Sequence, residues 1–78
     1  MLAAALEHLV KGVVDNPDRV QVTEKSTTRG ELLEVRVHPD DLGRVIGRSG
    51  RTAKALRTII GSLADGRRIR VDVVDTDQ

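Results

Sequence analysis

The chain has 78 residues and contains no cysteine, phenylalanine, tyrosine or tryptophan. That excludes disulfides, thiolate zinc centres and any nucleic-acid platform built on stacked rings. Its 13 basic and 12 acidic side chains leave a net charge of +1, yet the stretch from Arg44 to Arg70 holds eight of the bases and only one acid, Asp65. A near-neutral total hiding one basic segment points to a local anion site rather than a generally sticky polycation.

One domain is expected over residues 1–78, folded to about residue 75 with a frayed tail after it. A chain this short hides only about 60–65% of the surface its unfolded form exposes, so its stability margin is thin. With disulfides and metals out, dimerisation is the aid left open. No apolar run is long enough to cross a bilayer. The start, Met1 to Glu7, lacks the basic region of a secretory leader, so the expected location is the cytoplasm.

Leu2, Leu6, Leu9, Val10 and Val13 recur at helical spacing and predict one amphipathic helix, which Asn16-Pro17-Asp18 should stop. From Arg19 the period changes to two. Val20 and Val22 alternate with polar residues, Thr27-Thr28-Arg29-Gly30 supplies turn chemistry, and Leu33, Val35 and Val37 alternate in turn. This predicts an antiparallel hairpin with one apolar face.

Pro39-Asp40-Asp41 suits a helix start, and a short helix is expected over Asp40–Ile46. Gly47-Arg48-Ser49-Gly50 interrupts it. A second helix follows from Arg51 to Leu63, with Ala53, Leu56, Ile59, Ile60 and Leu63 on its apolar face and Arg51, Lys54 and Arg57 on a flank. After the turn Ala64-Asp65-Gly66, residues 68–75 alternate again as a strand with Ile69, Val71 and Val73 on one side. The order α-β-β-α-α-β predicts an α+β two-layer sandwich. Its three-stranded mixed sheet has Leu32–His38 in the middle, the last strand lying parallel to it through the helical crossover, and three helices on one face.

The segment with chemical content is Gly47-Arg48-Ser49-Gly50 and its surroundings. Glycine permits positive φ and close backbone approach, and the following helix directs its N-terminal amides and positive dipole end into the link. A phosphate is the natural partner of such a terminus. Arg48 adds a mobile charge, and Ser49 a hydroxyl able to cap the helix or donate to an anion; Arg51 and Lys54 extend the basic strip. A bare G-x-x-G is also compatible with a plain tight turn between two helices. Here a Val-Ile lead-in, a basic amphipathic helix after the link, and the central place in a β-α-α-β unit favour the anion site.

Val45-Ile46-Gly47-Arg48-Ser49-Gly50 followed by a helix resembles the signature of the KH RNA-binding domain. The element order is similar to the type II, bacterial arrangement. Size, the lead-in Asp15-Asn16-Pro17-Asp18 and the run from Gly43 to Arg57 look most like the stand-alone KhpA family, over nearly the whole chain. The resemblance implies a single-stranded RNA binder acting as an RNA chaperone or post-transcriptional regulator. It implies a second KH-containing partner of the KhpB (Jag/EloR) kind, self-association, and a link to cell-wall homeostasis, cell length and cell shape. It also implies that Gly47, Arg48, Ser49 and Gly50 grip the RNA backbone, that Arg51 and Lys54 extend the grip, and that Gly43, Arg44, Ile46 and Ala53 line one wall of a groove. The Leu63–Arg68 connection takes the place of the family's variable loop, so Arg67, Arg68 and Arg70 would reach RNA across that groove; plain solvated strand-edge arginines are the equally open alternative. Many KH domains carry a bulky aliphatic where this chain has Ala53, which shallows the core at one point.

Catalysis is not expected. No nucleophile–base pair, P-loop or metal-ligand spacing occurs, and no cofactor, metal, membrane or small-molecule substrate is implied. His8 reads as a surface position and His38 as a strand end, while Asp40 and Asp41 suit a helix start. Two other readings stay open. One is a non-catalytic dimerisation or adaptor module with a vestigial clamp. The other is a helix-turn-helix DNA binder, although the second helix lacks base-reading Asn or Gln and the strands would be superfluous.

Overall fold

The computed structural model describes residues 2–76. Its order is α1 (Leu2–Lys11), β1 (Gln21–Thr27), β2 (Gly30–Val37), α2 (Leu42–Ile46), α3 (Arg51–Ala64) and β3 (Ile69–Asp75). Short 3-10 turns at Pro17–Arg19, Pro39–Asp41 and Arg48–Gly50 join them. The sheet order is β1-β2-β3, with β1 antiparallel and β3 parallel to the central β2. This is the α+β mixed-sheet sandwich that the periodicities predict.

Alternation along β2 decides the packing. Leu33, Val35 and Val37 are sealed from solvent, and Val22, Val35 and Val73 form one row across the sheet. Onto this face pack Leu2, Leu6 and Val10 of α1, Val45 of α2, and Leu56, Ile60 and Ala64 of α3. With no rings available, the core is wholly aliphatic, each fully buried Leu, Ile or Val contributing about 1.5–3 kcal/mol.

Two boundaries and one buried face differ from expectation. First, α1 ends at Lys11, well before Pro17. The Gly12 and Val13 amides donate to the Leu9 and Val10 carbonyls, tightening the last turn, and Val13 is 37% exposed instead of continuing the stripe. Pro17 opens a 3-10 turn rather than stopping a helix. Second, α2 begins at Leu42. The preceding Pro39–Asp41 turn is capped by His38, whose Nδ1 accepts from the Asp40 amide at 3.0 Å. Third, α3 is rolled about its axis. Its buried line is Ala53, Leu56, Ile60 and Ala64, while Ile59 and Leu63 are 42% and 55% exposed. With that face turned to the sheet, Arg57 donates from Nε to the Val71 carbonyl at 3.1 Å. At the far end, the Thr76 amide donates to the Val37 carbonyl at 2.9 Å. The expected tail is thus anchored through Thr76, and Asp77 and Gln78 lie outside the described residues.

Asp41, 1% exposed, is the buried charged side chain of this core. Its Oδ1 accepts from the Asp15 amide at 3.2 Å, and its Oδ2 from the Asn16 amide and Asn16 Nδ2 at 3.0 Å each. One carboxylate thereby ties the loop after α1 to the start of α2. Burial alone would raise its pKa, but the Asn16 side chain, the two amides and nearby His38 outweigh it and hold the carboxyl below its ordinary 3.8. Glu31, bonded by Arg67, and Glu34, bonded by Arg36 and Lys25, are likewise held below their ordinary 4.5.

Groups with depressed folded pKa values stabilise the protein above their unfolded values, and that stability is lost as pH falls through the folded ones. Thermal melts should therefore show a Tm that is level from about pH 7 to about 5 and declines below about 4. Asp41→Asn should flatten part of the decline. A Tm that falls evenly from neutral pH downward would contradict this assignment.

Candidate functional site

The link between α2 and α3 is a left-handed corner. The Gly47 amide closes α2 by donating to the Gly43 carbonyl at 2.8 Å. Gly47 then turns out of the helix at φ 79°, ψ 172°, and Ser49 (φ 55°) and Gly50 (φ 75°) follow on the left-handed side. Gly47 is obligatory on two counts. No other residue type occupies that φ/ψ region readily, and a Cβ there would sit 2.7 Å from the Thr52 backbone nitrogen.

The amides divide into two groups. Gly50 donates to the Gly47 carbonyl at 3.1 Å and Arg51 to the Arg48 carbonyl, so both serve the turn itself. The Arg48 and Ser49 amides have no acceptor among the described residues. Gly50 is the N-cap of α3, and no side chain caps that helix; the Ser49 hydroxyl does not play the capping role open to it from sequence. Successive amides in a left-handed corner form a concavity suited to an anion, and the dipole end of a 14-residue helix reinforces it.

Around this corner stand Arg48, Arg51 and Lys54, all exposed and without an acidic partner among the described residues. Gly43 is exposed one turn upstream, and Ile46, 38% exposed, sits beside Gly47. Ala53 is buried beneath the helix start, so it supports the corner from inside. Arg44 donates from Nη1 to Asp15 Oδ1 at 3.2 Å, both partners being well exposed. Such a pair is worth little and releases easily.

Arg67 and Arg68 are placed differently. They follow α3, whose 14 residues span roughly 20 Å, so they lie at the opposite end of that helix from Gly50. Arg67 donates from Nη2 to both oxygens of Glu31, which accounts for the lowered pKa of that carboxyl. The Arg68 carbonyl accepts from the Glu31 amide at 2.9 Å, and its Cβ stands beside Gly30.

Between the two ends runs a groove of about 400 Å³ along the free edge of β3, lined by Arg57, Ile69, Arg70, Val71 and Asp72. Arg57 is the side chain that sequence reasoning underweighted. The three-residue spacing of Arg51, Lys54 and Arg57 was visible, but its reach to the β3 edge depends on tertiary packing. Among the described residues no group of three or more His, Cys, Asp or Glu is placed to hold a metal ion, and no helix is long and apolar enough to cross a membrane.

The fold and corner can be set against known proteins. Residues 3–74 match the family model described as "KhpA/KhpB, KH domain". The chain is 75% identical over 75 residues to the RNA-binding protein KhpA of Leifsonia xyli subsp. xyli, covering 96% of this chain and 99% of that one. It is 68% identical to the Streptomyces coelicolor protein of the same name, over 99% and 96% of the two chains. At greater distance, the Halalkalibacterium halodurans RNA-binding protein KhpA is 46% identical over 90% of this chain and 95% of its own. No solved structure matches. A mixed sheet with its helices on one face, a glycine-flanked corner between the last two helices and end-to-end similarity therefore converge: the chain belongs to the KhpA/KhpB family of KH domains.

Proposed function

We propose that this protein binds single-stranded RNA and acts by binding, not catalysis. The Gly47–Gly50 corner grips the ribose-phosphate backbone, and the groove along β3 receives the bases. The observation that carries this reading is the pair of amides at Arg48 and Ser49 that find no acceptor among the described residues, rimmed by three cations with no acidic partner among them. The names of the relatives support it.

Phosphate oxygens accept from the Arg48 and Ser49 amides, while Arg48, Arg51 and Lys54 supply charge. Gly43, with no side chain, and Ile46, an exposed aliphatic, form the near wall, and Ala53 backs the corner. Arg44 joins once Asp15 is released. Arg67 positions the far end through Glu31, and Arg68 supplies charge there. Without rings, specificity comes from base-edge hydrogen bonds and van der Waals contact.

By the resemblance, the cellular role is that of a cytoplasmic RNA chaperone or post-transcriptional regulator. It works with a KhpB-like second KH protein, self-associates, and serves cell-wall homeostasis and cell length. A footprint of about four nucleotides binds weakly alone, so pairing of two grooves on one RNA provides the affinity.

The test is a salt titration with single-stranded RNA and duplex DNA in parallel. Contact with about three phosphates gives a slope near −2 in log K against log[salt], and a loss of roughly 15–20-fold between 50 and 200 mM. A slope near zero would leave the cations unused and favour a pure adaptor. Preference for the duplex would favour helix-turn-helix recognition.

A further inference from the structure

We propose that RNA leaving the groove continues around the edge of β3 onto the outer face of the sheet, where Arg29 and Arg70 line a second hollow. This rests on the reading of the Gly47–Gly50 corner as the backbone grip and lengthens the RNA path beyond it.

The pleat sets the outer face. Leu33, Val35 and Val37 point to the helices, so Gly30, Leu32, Glu34 and Arg36 point away. The register places Lys25, Leu32 and Arg70 in one row across the three strands. In the row nearer the hairpin, Gly30 lies against Arg68. A Cβ at Gly30, whose φ is +125°, would fall 2.6 Å from the Arg68 carbonyl oxygen and 2.8 Å from its Cβ. No side chain can stand there, and the face dips. The resulting hollow of about 200 Å³ is lined by Thr28, Arg29, Glu31, Leu32 and Arg70 together with the backbone around Gly30.

Charge and floor give this hollow its chemistry. Glu31 is held by Arg67, and Lys25 by Glu34, so both acids are already matched. Arg29, Arg68 and Arg70 have no acidic partner among the described residues. Arg29 and Arg70 face one hollow with like charge, and a phosphate relieves their repulsion while accepting charge-assisted hydrogen bonds. Asp72, the next outward residue of β3, bounds the patch and keeps it at the hairpin end. Leu32 is half-buried between Lys25 and Arg70 and offers an apolar floor for a base face. Guanidinium planes can stack on bases where rings are lacking. An acidic peptide would use the rim and leave the floor empty.

Continuity comes from Arg70. It lines both this hollow and the groove that Arg57 walls. Going down α3, the path therefore runs from Gly50 past Arg57, about 10 Å along the axis, and over the strand edge at Arg70 to Arg29.

The experiment uses the full chain, wild type and Arg29→Gln, a change confined to the second hollow, with labelled oligouridylates of about four and about ten nucleotides read by fluorescence anisotropy across a salt series. Circular dichroism confirms that the variant is folded. The decamer should bind wild type more tightly than the tetramer does. The variant should hold the tetramer within about twofold, lose about fivefold on the decamer at about 0.1 M salt, and show a decamer slope shallower by about 0.7. Equal decamer binding by both proteins overturns the extension and leaves the corner standing. Equal weakening at both lengths also overturns it, by assigning Arg29 to the groove. If wild type binds neither length, the corner reading fails and takes the extension with it. If an oligoglutamate competes for the decamer as well as RNA does, the hollow belongs to an acidic protein and the RNA path is wrong.

Discussion

Replacing Arg48 and Ser49 together with aspartate is expected to weaken binding of single-stranded RNA about 100-fold at about 0.1 M salt while leaving the fold intact. The size follows from counterion release. About three phosphate contacts give a slope near −2, so losing them at about 0.1 M costs two decades relative to a 1 M reference. The two acids stand in the corner where the Arg48 and Ser49 amides are free, and they repel the phosphate those amides would receive. Folding should survive because Arg48 is exposed and Asp tolerates the left-handed φ of 55° at Ser49. Anisotropy titrations measure the loss, and circular dichroism checks the fold. Undiminished affinity in the double variant would falsify the phosphate grip and leave the corner as a simple turn.

Gly47→Ala should cost about 3 kcal/mol of stability, whereas Gly43→Ala, four residues earlier, should gain about 0.5–1 kcal/mol. Gly47 sits at φ 79°, ψ 172°, a region essentially reserved for glycine, and its new Cβ would press on the Thr52 backbone nitrogen from 2.7 Å. That neighbour is main chain at the start of α3, so relief requires the corner itself to shift. Gly43 lies within α2, and a Cβ there meets nothing within 4 Å. For a chain of 78 residues total stability is on the order of 4–12 kcal/mol, so the Gly47 change removes a large share of it. Urea unfolding of the two variants side by side gives both numbers. Equal effects at the two glycines would refute the corner geometry described here.

Much of the architecture was legible because the periodicities are strong. Leu33, Val35 and Val37 alternate without interruption, and they became the sealed centre of β2. Leu2, Leu6 and Val10 form a helical stripe, and they became the buried face of α1. The parallel placement of β3 followed from the two intervening helices, since a parallel neighbour requires a crossover. The Gly47–Gly50 corner was legible too, because glycine at both ends of a four-residue helix link is a local statement about backbone conformation.

Other features were not legible, and they share a cause. Asp41 reads as a helix-start acid, yet its carboxylate holds amides more than twenty positions earlier in the chain. Ile59 and Leu63 fit the apolar stripe of α3 as well as Ala64 does, but the helix packs on the sheet through Leu56, Ile60 and Ala64 and leaves them outward. Arg67 and Arg68 look equivalent in sequence. One is neutralised by Glu31 and the other stands beside Gly30. Arg29 seemed only a turn residue until the register set it beside Arg70.

Sequence alone therefore determined the elements, their order, the buried face of the sheet and the position of the glycine corner, because each depends on residue type at short spacing. The tertiary structure decided which charges are spent and which remain available: Arg44 on Asp15, Arg67 on Glu31, and Arg29, Arg48, Arg51 and Arg70 without an acidic partner among the described residues. Charge pairing depends on which side chains meet across tens of residues of chain. Only the roll of α3 and the register of the three strands bring those partners within reach.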